Sequence, residues 1–568
     1  MSDLQRRTGM FRRGRNDIEN HIIDEYAAGR IDRREFIRRG TVAGLSLPML
    51  SLLVAACGGA NNTNSASSAA AGTGGAASTA AGPTKTGGTI RLGITTPSTE
   101  VDPVLNGDTG GLAMLAMTGE FLCVDENKQL TPWLAESWTS NADASEWTFK
   151  IRQGVNFNDG TPMTAKDVAA SINRLSDPAN KSNALSAFTG VLSKGSATAP
   201  DDATVVFKLD APNGSFPYYL SSDNYNAIIL PAAYAGNFTK TFPGTGPWKM
   251  ASYTAGASAS FVRNDSYWGK KAIPDKLDIT FAADEGAQIL ALQGGQLDVV
   301  QQVSVSGAQA ILNDPKYNII TLQSSAHRQL SMRCDTKPFT DARVRQAIAL
   351  SIDRKAIVDG LFQGKSDLGN DSPFAPVFAQ TDTSVPQRAQ DIAKAKQLLS
   401  DAGVANGFST ELVANQTQEI PEYAQIVVDA AKAIGVTIKL KVEDSNTYYG
   451  EAVYGKSHWL DSVMSLVDYG HRGVPNVFLS APLLSDGTWN AAHYKNPDYD
   501  KMVKDYIAAV DLQSQQKLAG GIQQKLLDDT PIIFAYFYNF LTPTLAGVTG
   551  VRTTAMSHVW VDQAALPA

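Results

Sequence analysis

Cysteine is scarce in this chain, three residues in 568. No Cys-x-x-Cys or Cys/His spacing is present, which excludes the common structural zinc sites and a dense disulfide framework. Histidine is equally sparse, six residues without a cluster, so direct metal binding has little support. Gly-x-Ser-x-Gly, His-Glu-x-x-His and the P-loop are all missing, so the usual hydrolase, zinc-protease and nucleotide signatures are absent. Basic charge is also short. The net charge is −7, and the first 57 residues hold ten Arg against seven acids, leaving 39 basic and 49 acidic residues beyond them. That balance disfavours a nucleic-acid partner. Beyond residue 57 no segment approaches the roughly 20 apolar residues of a membrane span.

What is present begins with Cys57. Residues 1–40 are polar and Arg-rich, and residues 41–56 are moderately apolar. Val54-Ala55-Ala56 then leads into Cys57. The apolar part contains Thr41, Gly44, Ser46 and Pro48, too short and too interrupted for a permanent span. This three-part layout is that of an export signal. Arg33-Arg34 with Phe36 resembles a twin-arginine signal, although Asp32 stands where that signal has Ser or Thr. The general export route stays open beside it. Val-Ala-Ala-Cys resembles a bacterial lipobox, which implies cleavage before Cys57 and acylation of its thiol. More than one acyl chain, at about 0.8 kcal/mol per buried CH₂, anchors a protein stably. The competing reading is a chance Arg pair before an ordinary core helix.

Residues 58–86 are almost wholly Gly, Ala, Ser, Thr and Asn, the composition of a flexible tether. Residues 87–568 exceed a single simple core and predict two or three domains. Strand and helix patterns alternate, which predicts α/β architecture. Trp147 to Ile151 alternates as a half-buried strand. Thr164 to Asp167 is a capping box opening a helix through Val168 and Ile172. Helices are expected from Asp341 to Leu350 and from Asp353 to Leu361. Ile392, Ala395, Leu398, Leu399 and Ala402 form an apolar stripe stopped by Gly403, and Ile426, Val427, Ala430 and Ile434 form another stopped by Gly435. From Thr410 to Val442 the pattern is strand–helix–strand, which predicts parallel pairing. Cys123 and Cys334 form either one disulfide or two buried thiols.

Four segments then occur in fixed order: Leu134-Ala135-Glu136-Ser137-Trp138, Trp147 to Arg152, Val155 to Pro162, and Ala165 to Val168. After them come Gly244 to Trp248, Arg263 to Trp268, Gly294 to Asp298, Pro338 to Ile348, and Asp353-Arg354. Together they resemble the bacterial extracellular solute-binding proteins of family 5, receptors for oligopeptides, dipeptides and nickel. The resemblance spans residues 87–568. Taken singly, most of these motifs read as fold-keeping turns and pairs. The resemblance implies a two-lobed periplasmic-binding-protein fold of class II (cluster C) type with an inserted domain. It places residues 87–110, 241–330 and 531–568 in lobe 1, an inserted domain at 111–240, and lobe 2 at 331–530. Ligand is expected in a cleft that closes by hinge motion.

The best local ligand candidates follow the strand Met464 to Val467, in the loop from Asp468 to Asn476. By resemblance Asp468 matches the Asp that pairs with a peptide's α-ammonium, and Tyr469 is its companion. Asn476 ends the segment. His471-Arg472-Gly473 departs from the family pattern. Arg472 there has two readings, a fork for a carboxylate or phosphate, or an internal partner for Asp468. His471, as a lone loop histidine, reads as solvated. Thr99 and Glu100 resemble a segment that touches peptide backbone, in a loop shortened by Asp102-Pro103. Trp459, Tyr448 and Tyr449 either line the cleft or lie in a core.

The resulting expectation is not an enzyme. It is a monomeric lipoprotein outside the cytoplasmic membrane, without cofactor, that delivers a small solute to an ABC permease and ATPase. Peptide is the leading ligand. Oligosaccharide, a metal chelate, and a receptor that signals rather than transports remain as alternatives.

Overall fold

The computed structural model describes residues 85–97, 100–126 and 128–568. The export signal with Arg33, Arg34 and Phe36, the lipobox Cys57, the tether up to residue 84, and Thr99 lie outside the described residues. Among the described residues no helix is long and apolar enough to cross a membrane.

Two mixed seven-stranded sheets organise the body. In the first, the central strand Thr89–Thr95 runs parallel to Lys276–Ala282 on one side and to Val299–Val300 on the other. Ser258–Arg263 and Trp248–Thr254 extend one flank, and Phe540–Leu545 with Tyr317–Leu322 the other. Central placement buries Ile90, Leu92 and Ile94. In the second sheet His327–Met332 lies antiparallel to Met464–Tyr469. That strand is parallel to Ser409–Asn415, which is parallel to Thr437–Glu443. The helix Ile420–Ala433 joins the last two as the expected strand–helix–strand unit. On the other flank Ile532–Ile533 and Tyr536–Tyr538 pair with His327–Met332.

The inserted domain carries a four-stranded antiparallel sheet, in the order Ala135–Ser140, Glu146–Ile151, Thr204–Lys208, Ala197–Asp201. Trp147, Phe149 and Phe207 from it share one apolar core with Leu92, Leu277 and Ile279 of the first sheet. One apolar core thus runs through both of these sheets.

Sheet pairing moves two of the expected domain limits. His327–Met332, which a limit at 330/331 would cut, pairs along its whole length with Met464–Tyr469. Tyr536–Tyr538, assigned to lobe 1, pairs with Ser366–Leu368 in the second sheet. The chain therefore crosses between sheets at 323–326 and at Asn539. The two crossings are bonded to each other: the Tyr538 amide donates to the Ala326 carbonyl at 2.9 Å, and Ser324 Oγ donates to the Tyr538 carbonyl at 2.6 Å.

Local signals hold where they rest on neighbouring residues. Thr164 and Asp167 form the capping box of the helix Ala165–Ser176. Asp341 and Asp353 cap the helices Ala342–Ser351 and Arg354–Phe362. Gly403 and Gly435 follow their helices at φ +80° and +87°, the left-handed region that favours glycine. Cys123 and Cys334 are free thiols.

The signature motifs are ties within the fold. Glu120 is buried and accepts four hydrogen bonds, from Trp133 Nε1 at 2.9 Å, Tyr267 Oη at 2.6 Å, Trp268 Nε1 at 2.8 Å and Thr245 Oγ1 at 2.7 Å. Burial raises its pKa and the four donors oppose that rise. Arg345 donates to the Phe339 carbonyl at 2.5 Å and to the carbonyl of Asp529, the last residue of the helix Leu512–Asp529. Arg354 and Arg388 both hold the fully buried Asp371 at 2.6 Å.

Candidate functional site

Asp468 is the penultimate residue of Met464–Tyr469, so it belongs to the strand and not to the loop after it. The antiparallel register sets Arg328 directly opposite Asp468, on a neighbouring strand 140 positions earlier. The Arg328 side chain has no exposed surface, whereas that of Asp468 is 33% exposed. A buried guanidinium needs partners for its five donors. Arg328 Nη1 donates to Asp468 Oδ1. Its Nη2 donates to Gln418 Oε1 at 2.7 Å and Glu419 Oε2 at 3.0 Å, and its Nε lies 2.9 Å from Glu419 Oε1. Tyr538 packs its ring 4.3 Å from the guanidinium carbon and donates to Asp468 Oδ1 at 3.0 Å. Tyr536 Oη donates to Glu419 Oε1 at 3.0 Å.

Glu419 is placed by local geometry. It is the N-cap residue of Ile420–Ala433, where the helix dipole favours a carboxylate. Gln418 before it adopts φ +46°, a strained left-handed conformation for a non-glycine residue. One cation and two carboxylates leave this group with an excess negative charge.

The group borders a cavity of about 400 Å³ between the two sheets. Thr95, Thr109, Glu285 and Gln302 line it from the first lobe. Phe362, Gln418, Glu419 and Glu422 line it from the second, and Tyr538, Asn539 and Phe540 belong to a crossing segment. Its charged lining residues are the three glutamates. Asp468 stands behind Tyr538, one hydrogen bond from this space. Asn415 and Glu443 end the neighbouring parallel strands, so these polar groups gather at strand carboxyl ends, where open α/β sheets present ligand sites.

The other expected site residues are placed differently. Tyr469 is 8% exposed, with its ring against His327, Phe478, Trp459 and Trp489. Strand alternation turns it into the core, away from the face that Asp468 occupies. His471 is buried instead of solvated: Nδ1 accepts from the Ser325 amide at 3.0 Å, and burial pulls its pKa down to about 3. Ser325 Oγ also bonds the Arg472 main chain, so the loop is tied to a crossing segment. Arg472 does not pair with Asp468, because Arg328 occupies that role. Among the described residues Arg472 makes no ion pair, and its Nη1 donates to the His471 carbonyl at 2.8 Å. Asn476 is 3% exposed at the start of the helix Asn476–Ser480 and faces Tyr219 of the inserted domain. Glu100 is exposed. Trp459 and Tyr448 are buried in a core, and Tyr449 is half-buried beside Asp468.

Arg328, Gln418, Glu419 and Tyr538 escaped the sequence reading. The available signal was a charged residue inside the strand pattern around Leu330, whose partners lie far away in the sequence.

Comparison with known proteins agrees with this architecture. Among curated proteins, a probable peptide ABC transporter periplasmic-binding protein of Sinorhizobium fredii is 27% identical over 88% of this chain and 93% of its own length. Heme-binding protein A of Haemophilus influenzae is 26% identical over 71% of this chain and 78% of its own length. Among solved structures, the periplasmic binding protein DppA of Helicobacter pylori in complex with the peptide STSA superposes with a TM-score of 0.65 at 22% identity. That superposition covers 85% of this chain and 99% of the other. The sequence profile of bacterial extracellular solute-binding proteins, family 5 middle region, matches residues 129–490, more than half of the chain. With its two lobes and interlobe cavity, the chain belongs to family 5 of the bacterial extracellular solute-binding proteins.

Proposed function

We propose that this protein is the substrate-binding component of an ABC importer and captures a small solute carrying a cationic group, a short peptide above all. The observation that supports this reading is the Asp468–Arg328–Glu419 group. Arg328 compensates one carboxylate, and the excess negative charge sits at an interlobe cavity lined by further glutamates and, among the described residues, by no basic one. An ammonium group is the complementary ligand chemistry. Asp468 is the residue assigned to that ammonium, with Glu419 beside it. Arg472, which makes no ion pair among the described residues and lies outside the lining of this cavity, is the residue assigned to an anionic group of a ligand long enough to reach beyond it.

Ligand that bridges the lobes stabilises the closed form by its differential affinity, and the paired crossings at 323–326 and 539 are the proposed hinge. The peptide ABC transporter protein of S. fredii and the peptide-bound DppA support the peptide class. The same reading includes acylation of Cys57, a tethered monomeric body, and the permease and ATPase as partners. An oligosaccharide would need stacking aromatics; of those expected, Trp459 and Tyr448 are occupied in a core, which leaves Phe362, Tyr538 and Phe540 at the cavity.

Native mass spectrometry of residues 87–568, purified from the original host without refolding, tests the class. A co-purified peptide mass is expected. A sugar or metal-chelate mass would overturn it.

A further inference from the structure

The inserted domain touches the second lobe at a point where side chains are excluded. Asn213, Gly214 and Ser215 precede the short helix Phe216–Leu220. They are held in their own domain by the Asn213 amide, which donates to the Ala144 carbonyl at 3.0 Å, and by Trp147 Nε1, which donates to the Asn213 carbonyl at 3.2 Å. Opposite them, in the second lobe, the helix Pro497–Ala508 turns into Leu512–Asp529. The Gly214 amide donates to the Ile507 carbonyl at 2.9 Å. Gln515 is 4% exposed, and its Nε2 spans Ser215 Oγ at 3.2 Å and the Ala509 carbonyl at 2.9 Å.

A Cβ atom on Gly214 would stand 1.9 Å from Ala509 O, 2.7 Å from Ala509 C and 3.0 Å from Val510 Cα. All three atoms are backbone, so no rotamer change relieves the overlap. All three belong to the opposite lobe. Gly214 is not in the left-handed region, so its conformation does not itself require glycine. Glycine at this position therefore serves the contact between lobes and not the local fold.

We propose that Gly214 is a positioning residue for lobe closure: the bare Cα lets the inserted domain seat on the 508–511 turn, and that seat holds the closed form. The proposal rests on the two-lobed capture mechanism but on no particular ligand. Any side chain at 214 holds the lobes apart by about the thickness of a methyl group. The closed population falls while each lobe stays folded. A substitution at Gly360, which has no heavy atom within 4 Å of a built Cβ, is the matched control.

The test traps closure without needing the ligand. Residues 87–568 carrying Ala211→Cys and Lys504→Cys, exposed positions on the two sides of this contact that line one cavity, are treated with a bismaleimide, and the interlobe cross-link is timed by gel mobility. Cys123 and Cys334 stay in place in every sample as a common background. Gly214→Val is expected to slow cross-linking at least tenfold and Gly214→Ala to slow it less, with Gly360→Ala at the parental rate. Unchanged melting by circular dichroism shows that the lobes are folded. An equal cross-linking rate in the Gly214→Val protein overturns the proposal, and so does failure of the parental pair to cross-link. If no peptide is found in the native protein, the ligand reading fails alone, because cross-linking reports closure independently.

Discussion

Replacing Arg328 by Met removes the cation on which the candidate site is built. The side chain is completely buried and holds Asp468 and Glu419 together. Met fills much of the same volume, so the cost is electrostatic more than steric. Breaking a buried ion pair by removing one partner costs about 3–5 kcal/mol, because the abandoned charges stay desolvated. Here the abandoned side chains are 33% and 17% exposed, so water can reach them in part. Loss of the cation–π contact with Tyr538, about 1 kcal/mol, acts in the opposite sense. The expected destabilisation is thus about 3 kcal/mol, read as a lower urea midpoint at unchanged slope. Removing both charges as well, in Arg328→Met with Asp468→Asn and Glu419→Gln, should recover about 2 kcal/mol, since a neutral group need not be paired. A single Arg328→Met protein as stable as the parent would refute the claim that this cation neutralises half-buried carboxylates. A triple variant no better than the single would show that packing, not charge, set the cost.

Three further outcomes are expected. Asp468→Ala should weaken binding of the native ligand about 10- to 100-fold, the worth of one charge-assisted hydrogen bond of about 1.5–3 kcal/mol, measured by calorimetry; unchanged affinity would remove Asp468 from the site. His327, His471 and His558 are kept neutral by burial, each pKa pulled down to about 3, while the unfolded ring titrates near 6.5. The unfolded chain takes up these protons first, so their contribution is present above about pH 6.5 and drains as pH falls towards about 3; urea midpoints measured between those values should fall steadily, and a flat profile would contradict neutral buried rings. Gly403→Ala should cost about 1–2 kcal/mol through left-handed backbone strain alone, since a methyl group there meets nothing within 4 Å; an unchanged urea midpoint would contradict it.

How much of the molecule is legible before folding follows the range of the interactions. The capping box at Thr164, the caps at Asp341 and Asp353, and the stops at Gly403 and Gly435 involve residues within a few positions of one another. Period-2 and period-3.6 patterns likewise reveal Glu146–Ile151 and the unit from Ser409 to Glu443. The ordered motifs were enough to indicate the family, and the fold explains them as ties such as the four donors converging on Glu120.

The site was legible only in part. Asp468 stood out by its motif, but its counter-charge comes from a residue 140 positions away, chosen by strand register. Tyr469 and Asp468 are adjacent in sequence and opposite in environment, because successive strand residues face opposite sides of a sheet. His471 reads as a loop residue and is buried, because the loop folds back on Ser325. The sequence by itself determined the local elements, the α/β class and the family resemblance, since these depend on backbone propensity and short-range hydrogen bonds. Tertiary structure alone decided which charges meet, which aromatics are spent in cores and where the lobes touch, because those contacts join segments that only pairing and packing bring together.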